Sequence, residues 1–292
     1  MGAAAPSRIL VSEADVLLEV AVDAARMAGA LLAERAFDGA EREVTSKTTP
    51  TDLVSDADLA SERAIRELLA RRRPDDGFLG EEGGHEREGK SGLSWVVDPL
   101  DGTVNFLFGI PQWCVSVAVR DGEGTIAGAV YDPNRDELFT TTRDGRPTLT
   151  GPKGVLELQG PGRGGPAGSE RAVELAGPGR GDLPTAMVAT GLAYDAKVRE
   201  AQATVLARLV GRVRDIRRFG SAALDLTWTA AGRYDAYFER SVKQWDVAAG
   251  TLICERAGLQ VLELPVYENL PWGILVAPPA LAEPLLELVR GP

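Results

Sequence analysis

The chain has 292 residues, a formal net charge of -11, and 44% hydrophobic and 26% charged residues. This composition is typical of a globular protein with a substantial core, and the negative charge argues against nucleic acid or an anionic membrane as the main partner. No segment has the length and apolarity of a transmembrane span and no signal-peptide pattern follows Met1, so the sequence predicts a cytoplasmic protein.

Cysteine and histidine are scarce in the chain. Cys114 and Cys254 lie in apolar patterns, which predict two buried thiols rather than a disulfide or a zinc site. The single histidine, His85, lies in a polar loop rich in Gly and Glu, as is typical of a solvated residue. Neither a histidine-based metal cluster nor a catalytic triad is therefore expected.

The first half of the chain predicts two helices followed by a series of short strands. Apolar residues at helical spacing predict helices over 11–37 and 55–73, with a polar loop at 47–53 between them. Alternating or β-branched runs predict strands at 77–80, 95–97, 113–119, 125–131 and 137–142. Because tight turns join most of these strands, we expect an antiparallel sheet.

A stretch rich in Gly and Pro, 151–182, then interrupts the pattern. We interpret it as the connection between one lobe over about 1–150 and a second over about 183–292, with brief strands near Leu156 and at 173–175. The second lobe alternates strands, at 186–190, 213–219, 234–238, 259–264 and 273–277, with helices at 197–210, 222–231, 245–257 and 279–289. This order favours an α/β or α+β fold in which helices cover the sheets.

The strand at 95–97 runs into a polar segment, Asp98-Pro99-Leu100-Asp101-Gly102-Thr103. Pro99 fixes φ, Gly102 lets the backbone approach a ligand, and the N–H groups that follow are free to face an anion. Two carboxylates, a carbonyl and a hydroxyl in one turn are the set that a hard divalent cation and a phosphate require. The structural alternative is an Asp-Pro turn with Thr103 as a helix cap.

Three motifs carry a resemblance to a known family. The segment 98–106, DPLDGTVNF, resembles the D-P-[IL]-D-G-T-x-N-F signature of the inositol monophosphatase family, while 80–82 resembles its G-E-E segment and 245–250 its W-D-x-A-A-G motif. The resemblance extends over about 11–258. It implies a layered αβαβα sandwich, a single phosphatase unit with two lobes.

The resemblance also implies a centre of two to three Mg²⁺ ions. A first ion would be held by Glu81, Asp98 and the Leu100 carbonyl, a second by Asp98, Asp101 and Asp246, and a third, weaker site would lie near Glu81. Without cations such acids would repel one another and raise their own pKa values, whereas Mg²⁺ accepts oxygen ligands together with water and phosphate. The structural alternatives are a loop acid at Glu81 and a helix-dipole acid at Asp246.

For the reaction, the segment 52–58 resembles the family's D-L-V-T-x-x-D, which implies that Asp58 hydrogen-bonds Thr103 and that the pair orients an attacking water. The expected catalytic residues are therefore Asp58, Thr103 and Asp101, and the expected reaction is in-line attack of a metal-activated water on a phosphate monoester. The implied substrate-binding residues are Lys47, Gly102, Thr103, Gly220, Ser221, Ala222 and Glu239. A surface acid at Glu239 and a solvated lysine at Lys47 are the alternatives.

These inferences predict hydrolysis of a small phosphate monoester, foremost myo-inositol 1-phosphate. Relatives that act on histidinol phosphate, fructose bisphosphate or phosphoadenosine phosphates share the signature, so these esters stay open as substrates. A non-catalytic regulatory protein on the same fold is a more distant alternative. The resemblance further implies sensitivity to Li⁺ and a homodimer.

Overall fold

The computed structural model describes residues 12–37, 44–46, 53–82, 88–161 and 181–291. These residues form a five-layer αβαβα sandwich, as the resemblance implies. Its helices are α1 (Glu13–Phe37), α2 (Asp56–Arg72), α3 (Thr103–Leu107), α4 (Ala196–Leu209), α5 (Ala222–Ala230), α6 (Gln244–Arg256) and α7 (Pro279–Val289). Its strands are β1 (Val44–Ser46), β2 (Leu53–Ser55), β3 (Gly77–Gly80), β4 (Ser94–Asp101), β5 (Cys114–Asp121), β6 (Gly124–Asp132), β7 (Glu137–Thr142), β8 (Thr148–Gly151), β9 (Gly154–Glu157), β10 (Met187–Thr190), β11 (Asp215–Arg217), β12 (Ala236–Arg240), β13 (Gln260–Leu264) and β14 (Gly273–Ala277).

The first sheet has seven strands in the order β3-β4-β5-β6-β7-β8-β9. Strand alternation directs its side chains into two separate cores. Trp95 and Val97 pack against α1 and α2, whereas Val96 between them packs toward α5 and α6. The buried face of α1 includes several alanines, which let the helix lie close to β5 and β6. Both faces of the sheet are therefore covered.

The second sheet has five strands in the order β11-β10-β12-β14-β13. The pairs β11–β10 and β10–β12 are parallel, whereas β12–β14 and β14–β13 are antiparallel. Helices α5 and α6 fill the space between the two sheets, and α4 and α7 cover the outer face. Gly128 of β6 permits the approach of α6, because a Cβ there would lie 2.9 Å from the Cα of Ala249.

The buried side chain of Arg240 joins several segments at one end of the second sheet. The Arg240 guanidinium donates to the carbonyls of Pro265 at 2.9 Å, Pro271 at 2.7 Å and Arg290 at 2.8 Å, while the residue is 3% exposed. One side chain thus joins β12 to the loop before β14 and to the end of α7. The buried guanidinium thereby has acceptors from two segments that follow β12 in the chain.

Several local predictions need correction. The antiparallel pair β1 and β2 flanks the predicted 47–53 loop, of which only Leu53 is described, as strand; Ser55 ends β2, so the helix predicted from residue 55 begins at Asp56. β4 continues to Asp101 instead of ending before the acidic turn, with an irregularity in its pairing to β5 between Asp98 and Asp101. β8 and α3 were not predicted, and β3 pairs with β4 in parallel.

The division into lobes remains a prediction. β9 lies inside the Gly/Pro-rich stretch and pairs with β8, which extends the first sheet beyond residue 150. The predicted strand at 173–175, the residue His85 and the candidate Lys47 lie outside the described residues. Among the helices that the structure describes, none combines the length and apolarity needed to span a membrane.

Candidate active site

The signature segment joins β4 to α3 through one constrained glycine. Gly102 has φ of 98°, and a Cβ at this position would lie 2.9 Å from the Gln112 carbonyl oxygen, so a larger residue would be strained and crowded. Beyond it, Asn105 Nδ2 donates to the carbonyls of Gln112 and Phe219, each at 2.7 Å. These contacts join α3 to the segment that precedes α5.

Asp101 lies at the N-terminus of α5. Its Oδ2 accepts hydrogen bonds from Ser221 Oγ at 2.7 Å and the Ala223 N–H at 2.6 Å, and its Oδ1 accepts from the Ala222 N–H at 3.2 Å. Burial raises the pKa of Asp101 to about 6. The charge of Glu81 acts in the same direction, whereas the three hydrogen-bond donors oppose the increase. Three of the predicted site residues, Asp101, Ser221 and Ala222, therefore meet at one point.

Asp98 and Asp246 complete a group of acids that influence one another. Burial, followed by the charges of Glu81, Asp101 and Asp246, raises the pKa of Asp98 well above its ordinary value. Burial and the charges of Glu81 and Asp101 do the same to the pKa of Asp246. The four predicted ligand acids, from the loop after β3, from β4 and from α6, therefore lie within electrostatic range of one another.

These four acids are not arranged as a metal-coordination shell in this structure. Within the described ranges, no three His, Cys, Asp or Glu side chains are grouped so as to hold a metal ion. Asp98 Oδ1 instead accepts from the Leu100 N–H at 3.0 Å, and Asp246 Oδ2 accepts from the Lys243 N–H at 2.7 Å. The chemistry of the donor set nevertheless fits a hard divalent cation, because mutual repulsion among buried carboxylates is what such a cation relieves.

Thr103 is hydrogen-bonded to Asp58, as the resemblance implies. Thr103 Oγ1 lies 2.8 Å from Asp58 Oδ1 and 3.1 Å from the Leu100 carbonyl oxygen. Asp58 Oδ2 accepts from both the N–H and the hydroxyl of Ser55, at 2.9 and 2.6 Å, at the start of α2. The capping role and the Thr103 contact thus belong to two different oxygens of one carboxylate.

Glu239 is a partly buried acid and not a free surface carboxylate. Its Oε2 accepts a hydrogen bond from the Tyr237 hydroxyl at 2.8 Å, and its carboxylate fills the space beside Gly191 that a Cβ would need. Burial raises the pKa of Glu239 to about 7. Gly220, with φ of 86°, turns the chain immediately before Ser221.

Sequence reasoning missed several residues around this site. Burial and the charge of Glu239 raise the pKa of Asp225, which is fully buried on α5, well above its ordinary value. Cys114 Sγ lies 3.8 Å from Asp101 Oδ2. Ser61 and Glu62 on α2 contact the signature segment and the loop that carries Glu81. An acid or serine on the apolar face of a predicted helix was the available signal.

Comparison with known proteins identifies the family to which the chain belongs. The sequence profile of the inositol monophosphatase family matches residues 13–289. Such a match over nearly the whole chain, on this fold, defines a phosphoric monoester hydrolase of a generally metal-dependent kind. The chain belongs to the inositol monophosphatase family.

Individual relatives carry two kinds of name. The chain is 39% identical over 261 residues to an inositol-1-monophosphatase of Mycobacterium bovis, covering 88% of this chain and 84% of that protein. It is 38% identical over 243 residues to the Nus factor SuhB of Pasteurella multocida, covering 83% of each. Among solved structures, the extragenic suppressor protein suhB of Bartonella henselae superposes with a TM-score of 0.80 at 31% identity, covering 94% of this chain and 98% of that one.

Proposed function

We propose that this protein hydrolyses myo-inositol 1-phosphate to inositol and phosphate in a Mg²⁺-dependent reaction. The observation that carries the proposal is the Thr103–Asp58 hydrogen bond, made beside a group of four mutually repelling acids that are buried or partly buried. The name of the Mycobacterium bovis relative supports the same ester as substrate. The intact acids and Thr103 favour this activity over a purely regulatory role.

We propose that the donors present hold two to three Mg²⁺ ions. Glu81, Asp98 and the Leu100 carbonyl would hold one ion, Asp98, Asp101 and Asp246 a second, and Glu81 would contribute to a third. When bound, the ions supply positive charge against the phosphoryl oxygens and lower the pKa of a bound water. The backbone N–H groups of Leu100 and Lys243 each bind one oxygen of Asp98 and Asp246, which leaves the other oxygen of each carboxylate for this role.

Thr103 has a single hydroxyl hydrogen, so it donates to one acceptor at a time. Donation to the Asp58 carboxylate is favoured over donation to the neutral Leu100 carbonyl, because hydrogen bonds to charged acceptors are stronger. The Thr103 oxygen then faces the site as an acceptor and orients a water for in-line attack. The water oxygen bonds to phosphorus, the ester P–O bond breaks, and the alcohol leaves with a proton.

The leaving alcohol would contact Gly220, Ser221, Ala222 and Glu239. The Glu239 carboxyl accepts hydrogen bonds from hydroxyl groups and, where it is protonated, also donates to them, so it suits a hydroxyl-rich alcohol. An ionised Glu239 would also pair with a cationic alcohol, so histidinol phosphate remains the alternative substrate with the same mechanism.

The test is phosphate release from inositol 1-phosphate and histidinol phosphate side by side, with Mg²⁺ and with EDTA. We expect Mg²⁺-dependent release with a clear preference for the inositol ester. A preference for histidinol phosphate would overturn the substrate assignment alone. No Mg²⁺-dependent release from these esters, fructose bisphosphate or phosphoadenosine phosphates would overturn the proposed activity and favour a regulatory protein.

Three further properties belong to the same proposal. We propose that Li⁺ inhibits the reaction, that the protein is a homodimer, and that it acts in the cytoplasm. Family membership supports the first two, and the free buried thiols of Cys114 and Cys254 support a reducing compartment for the third. Inhibition by Li⁺ at fixed ionic strength and light scattering after size-exclusion chromatography test the first two, and cell fractionation tests the third.

A further inference from the structure

We propose that Ser61 and Glu62 are positioning residues for the phosphatase reaction, acting with Asp58 as one face of α2 that fixes the metal ligands relative to one another. The proposal rests on the proposed function, because it assumes that Glu81, Asp98 and Leu100 are ligands. We call Asp58, Ser61 and Glu62 the positioning face. Neither Ser61 nor Glu62 belongs to a sequence motif that the resemblance used.

The positioning face is one turn of a helix. Residues three and four apart on a helix lie on the same side, so Ser61 and Glu62 project beside Asp58. All three side chains are buried, with exposures of 0% for Asp58 and Ser61 and 4% for Glu62. Buried polar groups of this kind are retained in a fold only when they have specific partners.

Glu62 holds the loop that carries Glu81. Its Oε2 accepts the N–H of Glu82 at 2.8 Å. The same carboxylate occupies the space beside Gly80 that a Cβ would need, so Gly80 permits the contact. Gly80 and Glu82, the residues before and after Glu81, both contact the Glu62 side chain, so α2 fixes the direction of the backbone at Glu81.

The Glu62 side chain is itself held in place. Arg66 Nε donates to Glu62 Oε1 at 3.0 Å, and the Arg66 guanidinium lies 4.3 Å from the centre of the Phe78 ring. Phe78 belongs to β3, the strand that leads into Glu81. One carboxylate oxygen is therefore anchored by Arg66, which leaves the other aimed at the Glu82 N–H.

Ser61 holds the segment that carries the remaining ligands of the first ion. Its Oγ donates to the Pro99 carbonyl oxygen at 2.8 Å, and the N–H of the same peptide unit, from Leu100, donates to Asp98 Oδ1 at 3.0 Å. Both polar ends of this peptide are thereby fixed. Its orientation sets the directions of Asp98 and of the Leu100 carbonyl that follows.

One helical turn thus contacts three segments that are far apart in sequence. Asp58 binds Thr103, Ser61 binds Pro99, and Glu62 binds Glu82. Removing a residue that orients a metal ligand without itself binding the metal typically lowers metal affinity or activity by about 10- to 100-fold. We expect an effect of this size from Glu62, whose partner adjoins Glu81.

The experiment compares Glu62→Ala, Glu62→Gln and Ser61→Ala with the wild-type protein. The control is Glu67→Ala, which removes an exposed acid of the same helix. Three quantities are measured: the Mg²⁺ concentration for half-maximal phosphate release, Mg²⁺ binding by calorimetry without substrate, and amide hydrogen exchange at Glu82 without metal. Glu62→Gln keeps an oxygen that can accept the Glu82 N–H, so it serves as the rescue variant.

We expect Glu62→Ala to raise the Mg²⁺ requirement about 10- to 100-fold, to weaken Mg²⁺ binding equally, and to speed exchange at Glu82. Glu62→Gln should return each of the three quantities most of the way to the wild-type value. Ser61→Ala should weaken Mg²⁺ binding without changing exchange at Glu82. The control Glu67→Ala should leave all three quantities unchanged. Ser61→Ala removes one oxygen only, so it provides a folded test if Glu62→Ala does not fold.

Wild-type Mg²⁺ binding in both Glu62→Ala and Ser61→Ala would overturn the inference, as would a Glu62→Gln variant as impaired as Glu62→Ala. Failure of the proposed function is distinguishable. In that case the wild-type protein itself releases no phosphate with Mg²⁺, whereas exchange at Glu82 in the metal-free variants still reports on the positioning face.

Discussion

At the scale of single residues, Asp58 shows how one side chain can have both a structural and a chemical role. One of its oxygens receives the N–H and hydroxyl of Ser55 at the start of α2, and the other receives the Thr103 hydroxyl. An acid in the first helical turn is expected for capping alone. The second contact joins positions 45 residues apart, so only the family signature could predict it.

Replacing Thr103 tests its role in orienting water. We expect Thr103→Ala to lower kcat about 100-fold or more while KM changes little, because the lost hydroxyl positions the attacking water rather than the substrate. Thr103→Ser keeps the hydroxyl and is the matched control. Steady-state kinetics at saturating Mg²⁺ provide the measurement, and a near-normal kcat in Thr103→Ala would remove Thr103 from the mechanism.

The raised pKa values of the ligand acids predict how stability depends on pH and metal. An unfolded Asp titrates near 3.8 and folded Asp101 near 6, so the metal-free folded state binds more protons between these values. The contribution of Asp101 to the stability of the metal-free protein is therefore complete at a pH below the unfolded pKa and is lost as pH rises through about 6. The pKa values of Asp98 and Asp246 are raised in the same direction.

We therefore expect Mg²⁺ to raise Tm more at a pH well above 6 than at a pH below it, where protons compete for the same carboxylates. Thermal unfolding with Mg²⁺ and with EDTA at both pH values measures this difference. Na⁺ at matched ionic strength controls for general screening. An equal Tm increase at both pH values would contradict the assignment of these acids as ligands.

At the scale of elements, the second sheet depends on a cation that has no acidic partner among its described hydrogen bonds. Arg240 donates to carbonyls from the loop before β14 and from the end of α7. Burial lowers the pKa of its guanidinium, which still remains charged near neutral pH. The last strand and the last helix are joined to β12 through this side chain.

Arg240→Met should lower the free energy of unfolding by about 3 kcal/mol, because the hydrogen bonds that join β12 to the carbonyls of Pro265, Pro271 and Arg290 are lost. Arg290→Met is the control, since it removes only an exposed ion pair with Glu287 worth less than about 1 kcal/mol. Urea denaturation monitored by tryptophan fluorescence gives both values. An Arg240→Met variant as stable as the control would contradict this account of the sheet end.

The sequence predicted most helices and strands in which the periodicity of apolar residues is strong. It did not predict the elements whose existence depends on backbone pairing with another segment. The long α1 and the alternating β5 and β6 follow from side-chain spacing alone. β1 and β2 are three residues each, too short for a periodic signal, and the pairing of β4 through Asp101 depends on β5. Of the site, the motifs predicted the acids, whereas Ser61, Glu62 and Asp225 had only a weaker signal, a polar side chain on the apolar face of a predicted helix, which does not identify the partner of that side chain.

At the scale of the whole molecule, the site lies where the end of β4 meets the N-termini of the two helices that lie between the sheets. Asp101 at the end of β4 accepts from the N-terminus of α5, and Asn105 donates to the Phe219 carbonyl from the segment before α5. Helices α5 and α6 lie between the sheets, and the N-terminus of α6 supplies Asp246. The layer order that produces this convergence depends on contacts between distant segments, so it was predictable only through resemblance.

The central claim, a cation-dependent phosphatase centre built on these acids, is tested most directly with Asp98→Asn. Phosphate release from inositol 1-phosphate is measured over a Mg²⁺ series, with the exposed Asp144→Asn as control. The account predicts that Asp98→Asn lowers the rate about 1,000-fold and weakens Mg²⁺ binding, while its metal-free Tm equals or exceeds that of the wild-type protein because one repelling charge is gone. A folded Asp98→Asn variant with wild-type Mg²⁺-dependent release would contradict it.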